Sequence, residues 1–388
     1  MTERLYHADA FLRSFRARVT AHAEHGGRSS VVLAATGFYP EAGGQMADRG
    51  SLGGVAVIDV QADDAGVIHH VLDGAAPPVG AEVDAAIDWA RRRVHMALHT
   101  GQHLLSRALI EAATAETVSA RLGETGCTID VARDPVPERE LAAAEALANS
   151  VIDDDVAVRA WFPEPAELAG LPLRREPKVA SEVRVVAIGD FDVSPCGGTH
   201  CARSAQIGSI RVLGAERYKG LTRIHFTAGA RARGLLGEHS ETLARLAREL
   251  TCSTADVPGA IDKLRRALSD SRADAAAVRD QLAAALADTL VAGSTGAEVI
   301  ATLPDAALLR PLAARLSAAG KDVLLAVATP EGTQVLLSRT AGSSLDCGAL
   351  LRRLAQATGG RGGGKAEHAE GRLPAAIDWP AAVAAARA

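Results

Sequence analysis

β-rich apolar runs cut by glycine clusters fill the first 85 residues, and helical spacing takes over after residue 88. Val31-Val32-Leu33, Val55-Ala56-Val57-Ile58-Asp59-Val60 and Val67-Ile68-His69-His70-Val71-Leu72 predict strands. Between the first two lies Thr36 to Gln45, where Pro40 and the Gly43-Gly44 pair predict a tight, irregular loop. Pro77-Pro78-Val79-Gly80 closes this unit, and short strands with glycine turns predict a small β-barrel over residues 1–85.

Asp88 is the predicted N-cap of a helix from Trp89 to Ala113, with Leu98, Leu105 and Leu109 on its apolar face. His95, His99 and His103 form a column at i, i+4 and i+8. Strands are predicted at Thr117–Ala120, Thr128–Val131, Val156–Val158, Val183–Ile188, Ser209–Leu213 and Thr222–Phe226, and a helix from Pro135 to Val151. Helices and strands mix without a strict βαβ rhythm, so residues 86–230 are expected to form an α+β domain.

Residues 231–291 are predicted helical, with Pro258 in a first turn. The spacing of Leu264, Leu268, Ala275, Val278, Leu282 and Ala285 is close to a heptad stripe. It fits a helical hairpin packed on its own chain, or a coiled-coil-like pairing that would make a homodimer through this connector or through the C-terminal domain. Residues 292–388 read as an α/β unit: strands Glu298–Thr302, Val323–Val327 and Thr333–Ser338, with helices Ala306–Ala319 and Cys347–Thr358. It ends in Gly359-Gly360-Arg361-Gly362-Gly363-Gly364-Lys365, expected to be a loop whose exposed amides cradle phosphate.

Composition narrows the class. The chain has 388 residues and is 48% hydrophobic, which implies two or three globular domains. No run of eighteen apolar residues exists, so no membrane segment is expected, and charges interrupt the start of the chain where a signal peptide needs an apolar centre. Five scattered cysteines point away from a disulfide framework and toward a reducing cytoplasm. A net charge of −5 leaves nucleic-acid binding to local patches: Arg91-Arg92-Arg93, Arg174-Arg175 with Lys178, Arg217 with Lys219 and Arg223, and Arg352-Arg353 with Arg361 and Lys365.

Chemistry concentrates in two stretches. His99 and His103 share a helix face, and Cys196-Gly197-Gly198-Thr199-His200 supplies a thiolate and an imidazole at the same spacing. Three imidazoles and one thiolate make a tetrahedral soft-metal set, for which Zn2+, one per chain, is the expected ion. His95 lies a further turn away and is excluded, and Cys201 is a competing thiolate. Asp130 is a candidate partner for a ligating histidine. A metalloprotease His-Glu-x-x-His motif fails because Thr100 follows His99, and a Walker A loop fails because Ala366 follows Lys365.

His99-Thr100-x-x-His103 with Cys196-Gly-Gly-Thr-His200 resembles the editing domain of alanyl-tRNA synthetase and the free-standing alanyl-tRNA editing proteins of the AlaX type. Phe38-Tyr39-Pro40-Glu41-Ala42-Gly43-Gly44-Gln45 is similar to that family's Phe-Tyr-Pro-Glu-Gly-Gly-Gly-Gln loop, with Ala42 in place of a glycine. The glycine-rich tail resembles the DHHA1 signature, so the whole looks like the long free-standing form, with a DHHA1-like tRNA-binding domain at 292–388. The resemblance implies zinc-dependent hydrolysis of mischarged tRNA(Ala), chiefly Ser-tRNA(Ala), with Gly-tRNA(Ala) as a second substrate. It implies Gln45, Thr100 and Glu41 as catalytic residues and Gly43, Gly44, Thr199, Arg361 and Lys365 as substrate contacts. Its rival is a zinc-stabilised RNA- or tRNA-binding accessory protein without hydrolase activity.

Overall fold

Six strands of the N-terminal segment pair in a closed antiparallel barrel: Ser14–His25, Arg28–Leu33, Ile68–Asp73, Val55–Ala62, Gly50–Leu52 and Glu82–Ile87, which returns to the first. Alternate positions point inward, and Val19, Leu33, Phe38, Leu52, Val60 and Ile68 fill the barrel. This geometry belongs to a computed structural model that describes residues 2–177, 179, 181–375 and 377–388. The chain divides into two units, Met1–Arg245 and Leu246–Ala388.

In the first unit the barrel hands over to the helix Trp89–Ala113, whose N-cap Asp88 accepts from the Arg91 N–H at 3.0 Å. That helix and a second, Glu138–Asp153, cover a four-stranded antiparallel sheet. Its order is Ile210–Tyr218, Leu221–Ala228, Cys127–Val131, Thr117–Leu122. Leu98, Leu104, Leu105, Ile129, Ile224 and Phe226 are buried between them. A smaller sheet joins Val158–Trp161, Val185–Ile188 and Asp192–Pro195. The Cys196 stretch therefore follows a hairpin, not the Val183–Ile188 strand directly, because a second short strand turns the chain back first.

The second unit is a five-stranded sheet: Glu298–Leu303, Asp322–Thr329, Gly332–Ser338, His368–Leu373, Arg361–Gly364. Only the first pair is parallel. Helices cover both faces, with Leu312 and Leu316 packed on one and Leu350, Leu351 and Trp379 on the other. Two sequence expectations need correction here. The glycine-rich tail is not a loop: Arg361–Gly364 is an edge strand paired with His368–Leu373. And the stripe on the helix Val257–Gly293 does not pack on its own chain, since Leu264, Leu268, Val278 and Leu282 stay 45–61% exposed. The face that packs is set by Ala283, Leu286, Ala287, Leu290 and Val291. Among the described residues, no helix is long and apolar enough to cross a membrane.

Candidate metal centre and reaction pocket

The helix Trp89–Ala113 places His99 and His103 one turn apart on a buried face. The turn after the Val185–Pro195 hairpin brings Cys196 and His200 opposite them. One ligand atom from each of the four lies within 4.8 Å of the others, so the group could hold a metal ion. Cys196 Sγ is 3.4 Å from His99 Nε2 and 3.3 Å from His200 Nε2. His95 and Cys201 are outside this set. Burial pushes the Cys201 thiol up to about 11, which keeps it protonated.

Each imidazole is held in one tautomer by a partner on its Nδ1. Gln45 is fully buried, its Oε1 accepts the Thr199 backbone N–H at 3.0 Å, and its Nε2 donates to Thr199 Oγ1 at 2.8 Å. A backbone N–H only donates, which fixes the amide orientation. His99 Nδ1 lies 2.8 Å from that same oxygen, so Nδ1 carries the proton and Nε2 keeps its lone pair. Thr100 Oγ1 gives its proton to Met96 O at 2.8 Å and accepts the Cys201 N–H at 3.0 Å. His200 Nδ1, 3.3 Å from it, is again the donor. His103 Nδ1 donates to Asp192 Oδ2 at 3.2 Å. All three Nε2 atoms are therefore free to ligate.

Asp192 was not recognised from sequence, and Asp130 is not its substitute: Asp130 pairs with Arg223 and Ser119 on the sheet. Asp192 is buried, accepts from Ser194 Oγ at 3.0 Å, and takes Arg174 Nε on its other oxygen at 2.7 Å. Burial opposes its charge, but the His103 and Arg174 contacts outweigh it and hold the carboxyl below its usual range. Burial likewise raises the Cys196 thiol, while the facing His99, His200 and His103 prevail and hold it well below an ordinary thiol. Gly198 admits this packing, since a Cβ there would lie 2.2 Å from His99 Cε1.

A cavity of about 430 Å³ opens onto the set, lined by Tyr6, Tyr39, His99, Arg184, Cys196 and Gly198 among others. Gly43 lines it too. Gly44 serves packing: at φ +87° it brings its backbone against the Thr117–Leu122 strand, where a Cβ would sit 2.5 Å from Ala120 O. Gln45, Thr100 and Thr199 are fully buried around the ligands. Glu41 is not brought to the set; it is exposed and lines a separate cavity with Arg28, Arg49 and Asp59. Arg361 and Lys365 are exposed in the second unit.

The basic patches are thinner than the sequence implied. Arg92 is buried against Asp48, Arg91 pairs with Glu124, Arg174 with Asp192, Arg217 with Asp134 and Arg223 with Asp130. Arg93, Arg352 and Arg353 are exposed, and Lys178 lies outside the described residues.

Comparison with known proteins gives a consistent class. Residues 8–91 match the profile of class II (A) tRNA synthetases, residues 183–225 the threonyl and alanyl tRNA synthetase second additional domain, and residues 299–388 the DHHA1 domain. The chain is 36% identical over 247 residues to the alanyl-tRNA editing protein AlaX-L of Pyrococcus horikoshii, covering 61% of each. It is 34% identical over 389 residues to alanine–tRNA ligase of Pyrobaculum neutrophilum, covering 96% of this chain and 42% of that one. With the ligase of Halobacterium salinarum it shares 36% identity over 279 residues, covering 68% of this chain and 30% of the relative. These sequence matches make the chain similar to the tRNA synthetases. Within that class the chain is similar to an alanyl-tRNA editing protein and to the matching part of alanine–tRNA ligases, and it spans about three-fifths or less of the length of these relatives.

Proposed function

We propose that this chain is an aminoacyl-tRNA deacylase that hydrolyses the ester of mischarged tRNA(Ala), chiefly Ser-tRNA(Ala), with Gly-tRNA(Ala) as a second substrate. The observation that carries the reading is the convergence of three tautomer-locked Nε2 atoms and the Cys196 thiolate at the wall of a cavity, in a chain similar to an alanyl-tRNA editing protein. A pocket that selects alanine rejects an added hydroxyl by only about a hundredfold, so a second, hydrolytic site has a task.

His99, His103, Cys196 and His200 are the proposed zinc ligands. Tetrahedral bonds of about 2.3 Å to sulfur and 2.0–2.1 Å to nitrogen separate S and N by about 3.5 Å. The distances of 3.4 and 3.3 Å fit this. Bound there, zinc would supply Lewis-acid polarisation of the acyl carbonyl on expanding its coordination to admit the substrate. Gln45, Thr100 and Asp192 orient the ligands, and the Gly43 backbone meets the substrate. Arg361 and Lys365 are assigned to the tRNA body: replacing both with Ala raises the tRNA concentration needed and leaves the single-turnover rate unchanged.

The decisive assay is deacylation of Ser-, Gly- and Ala-tRNA(Ala), with and without a chelator. Ser-tRNA(Ala) is cleaved, Ala-tRNA(Ala) is spared, and the chelator stops turnover. A protein with stoichiometric metal and no deacylation of any of these would refute the reading. One observation favours an RNA-binding accessory with structural zinc instead: four protein ligands complete a closed shell. His103→Ala separates the two, since a structural ion takes the melting temperature with it and a catalytic one takes only activity.

A further inference from the structure

Arg184 precedes the strand Val185–Ile188 and is 6% exposed. Its Nη1 donates to Cys196 O at 3.0 Å and to Gly198 O at 2.9 Å, which places the guanidinium directly behind the ligand turn. Its Nε is buried and has no hydrogen-bond partner among the described residues. The side chain lines the cavity that opens onto the metal set.

Two other deeply buried arginines of this unit show what is missing. Arg92 is neutralised by Asp48, and Arg174 by Asp192. Among the described residues Arg184 has no such partner: the acidic groups acting on it are Cys196, Tyr39 and Tyr6. Burial pushes the Tyr6 phenol up to about 12 and raises that of Tyr39 as well, so both are neutral. In the proposed reading the Cys196 thiolate is taken by the ion. Glu176 and Glu182 line the same cavity but are exposed and make no ion pair with Arg184 among the described residues. A buried charge without a counter-charge is strongly unfavourable, so this guanidinium awaits an anion from outside the chain.

The chemistry of that anion follows from the proposed substrate, on which this inference rests. The acyl ester is neutral and the amino acid carries an ammonium group. The negative charges present before reaction are therefore phosphodiesters. A guanidinium that lines the cavity and has no carboxylate partner among the described residues fits phosphate oxygens. The cavity, at about 430 Å³, has the size of a small-molecule site.

We propose that Arg184, through its guanidinium, anchors the phosphate 5′ to the terminal nucleoside whose acyl ester lies at the His99, His103, Cys196 and His200 set. The anchor fixes the distance between phosphate and ester and so sets where the scissile bond sits. It also explains why the charge is kept next to a metal centre, where a neutral donor would hold the Cys196 and Gly198 carbonyls equally well.

The test compares adenosine with 5′-AMP as ligands of the full chain by calorimetry, in the wild type, Arg184→Gln and Arg184→Lys. The wild type binds AMP roughly 10- to 100-fold tighter than adenosine, the range of a charge-assisted hydrogen bond. Arg184→Gln binds the two equally, by weakening AMP alone, and Arg184→Lys loses part of the preference because it keeps the charge without the fork. Equal binding by the wild type overturns the anchor, as does an AMP preference that survives in Arg184→Gln. If Arg184→Gln loses adenosine binding too, Arg184→Lys decides, and a full AMP preference there overturns the assignment. The two proposals fail separately. AMP preference without Ser-tRNA(Ala) deacylation leaves the anchor and removes the editing reading; deacylation without AMP preference does the reverse.

Discussion

Arg92 in the first turn of the His99 helix closes its guanidinium on the carboxylate of Asp48, and both side chains are fully buried. The pair is the hinge pin of the site. Asp48 also accepts the Tyr39 N–H at 2.6 Å, and Arg92 donates to Gly37 O at 2.6 Å and Ala10 O at 2.8 Å. Both ends of the loop that delivers Gln45 are thereby tied to the helix that delivers His99. Removing one partner strands a buried charge, so Asp48→Ala is expected to lose about 3–5 kcal/mol of stability. Urea unfolding measures it, and a loss below about 1 kcal/mol would show that the pair is not the fastening described.

Gln45 contacts His99 and makes no hydrogen bond to His103, Cys196 or His200, the other residues proposed to hold the ion. Gln45→Ala leaves His99 Nδ1 and the Thr199 N–H without their acceptor. The ring is then free to turn or change tautomer, and metal affinity is expected to fall about 10- to 100-fold in a folded protein. Competition with a chromogenic chelator reads this directly. Unchanged affinity would mean that Gln45 does not orient His99.

His70 makes stability depend on pH. It is fully buried, accepts from Thr36 Oγ1 at 2.8 Å and donates to Val31 O at 3.1 Å, and burial lowers it from 6.5 to about 4. Below 6.5 the unfolded chain binds a proton that the folded chain refuses, so stability falls as pH drops from 6.5 toward 4. By linkage this one residue removes about 2 kcal/mol between pH 7 and pH 5. His70→Gln should flatten that part of the profile in denaturant titrations at several pH values. An unaltered slope would assign the acid sensitivity to other groups.

How much of this was legible in the sequence depends on whether side chains advertise their neighbours. The site helix did: Asp88 and the Leu spacing give the limits Trp89 and Ala113, and the spacings of His99 with His103 and of Cys196 with His200 give the group that could hold a metal ion. Asp192 did not, because it sits in a four-residue strand, Asp192–Pro195, with no apolar periodicity to mark it. Only its position four residues before Cys196 could have drawn notice. The stripe from Leu264 to Ala285 looked like a packing face, yet burial falls on Ala283 and Ala287, where small residues admit the neighbouring helix. Basic patches were overcounted because sequence does not show that Arg91, Arg92, Arg174, Arg217 and Arg223 already hold carboxylates.

The glycine-rich tail yields the sharpest contrast between two readings of one motif. Glycine has low β propensity, so the run suggested a phosphate loop, whereas Arg361–Gly364 is an edge strand under the helix Cys347–Thr358. There the missing side chains make room. A Cβ on Gly364 would lie 2.3 Å from His368 O, and one on Gly362 would lie 2.8 Å from Leu351 Cδ2. A Cβ on Gly363 would meet nothing within 4 Å. Gly364→Ala is therefore expected to lose about 1–3 kcal/mol through overpacking, while Gly363→Ala stays within about 0.5 kcal/mol of the parent. Both alanines keep their backbone N–H, so a phosphate cradle in this segment would treat them alike. Melting curves and tRNA affinity measured on the two variants separate the cases. Equal stability with equal loss of tRNA binding would restore the loop, and a melting loss confined to Gly364→Ala identifies the glycines as a packing requirement of the edge strand.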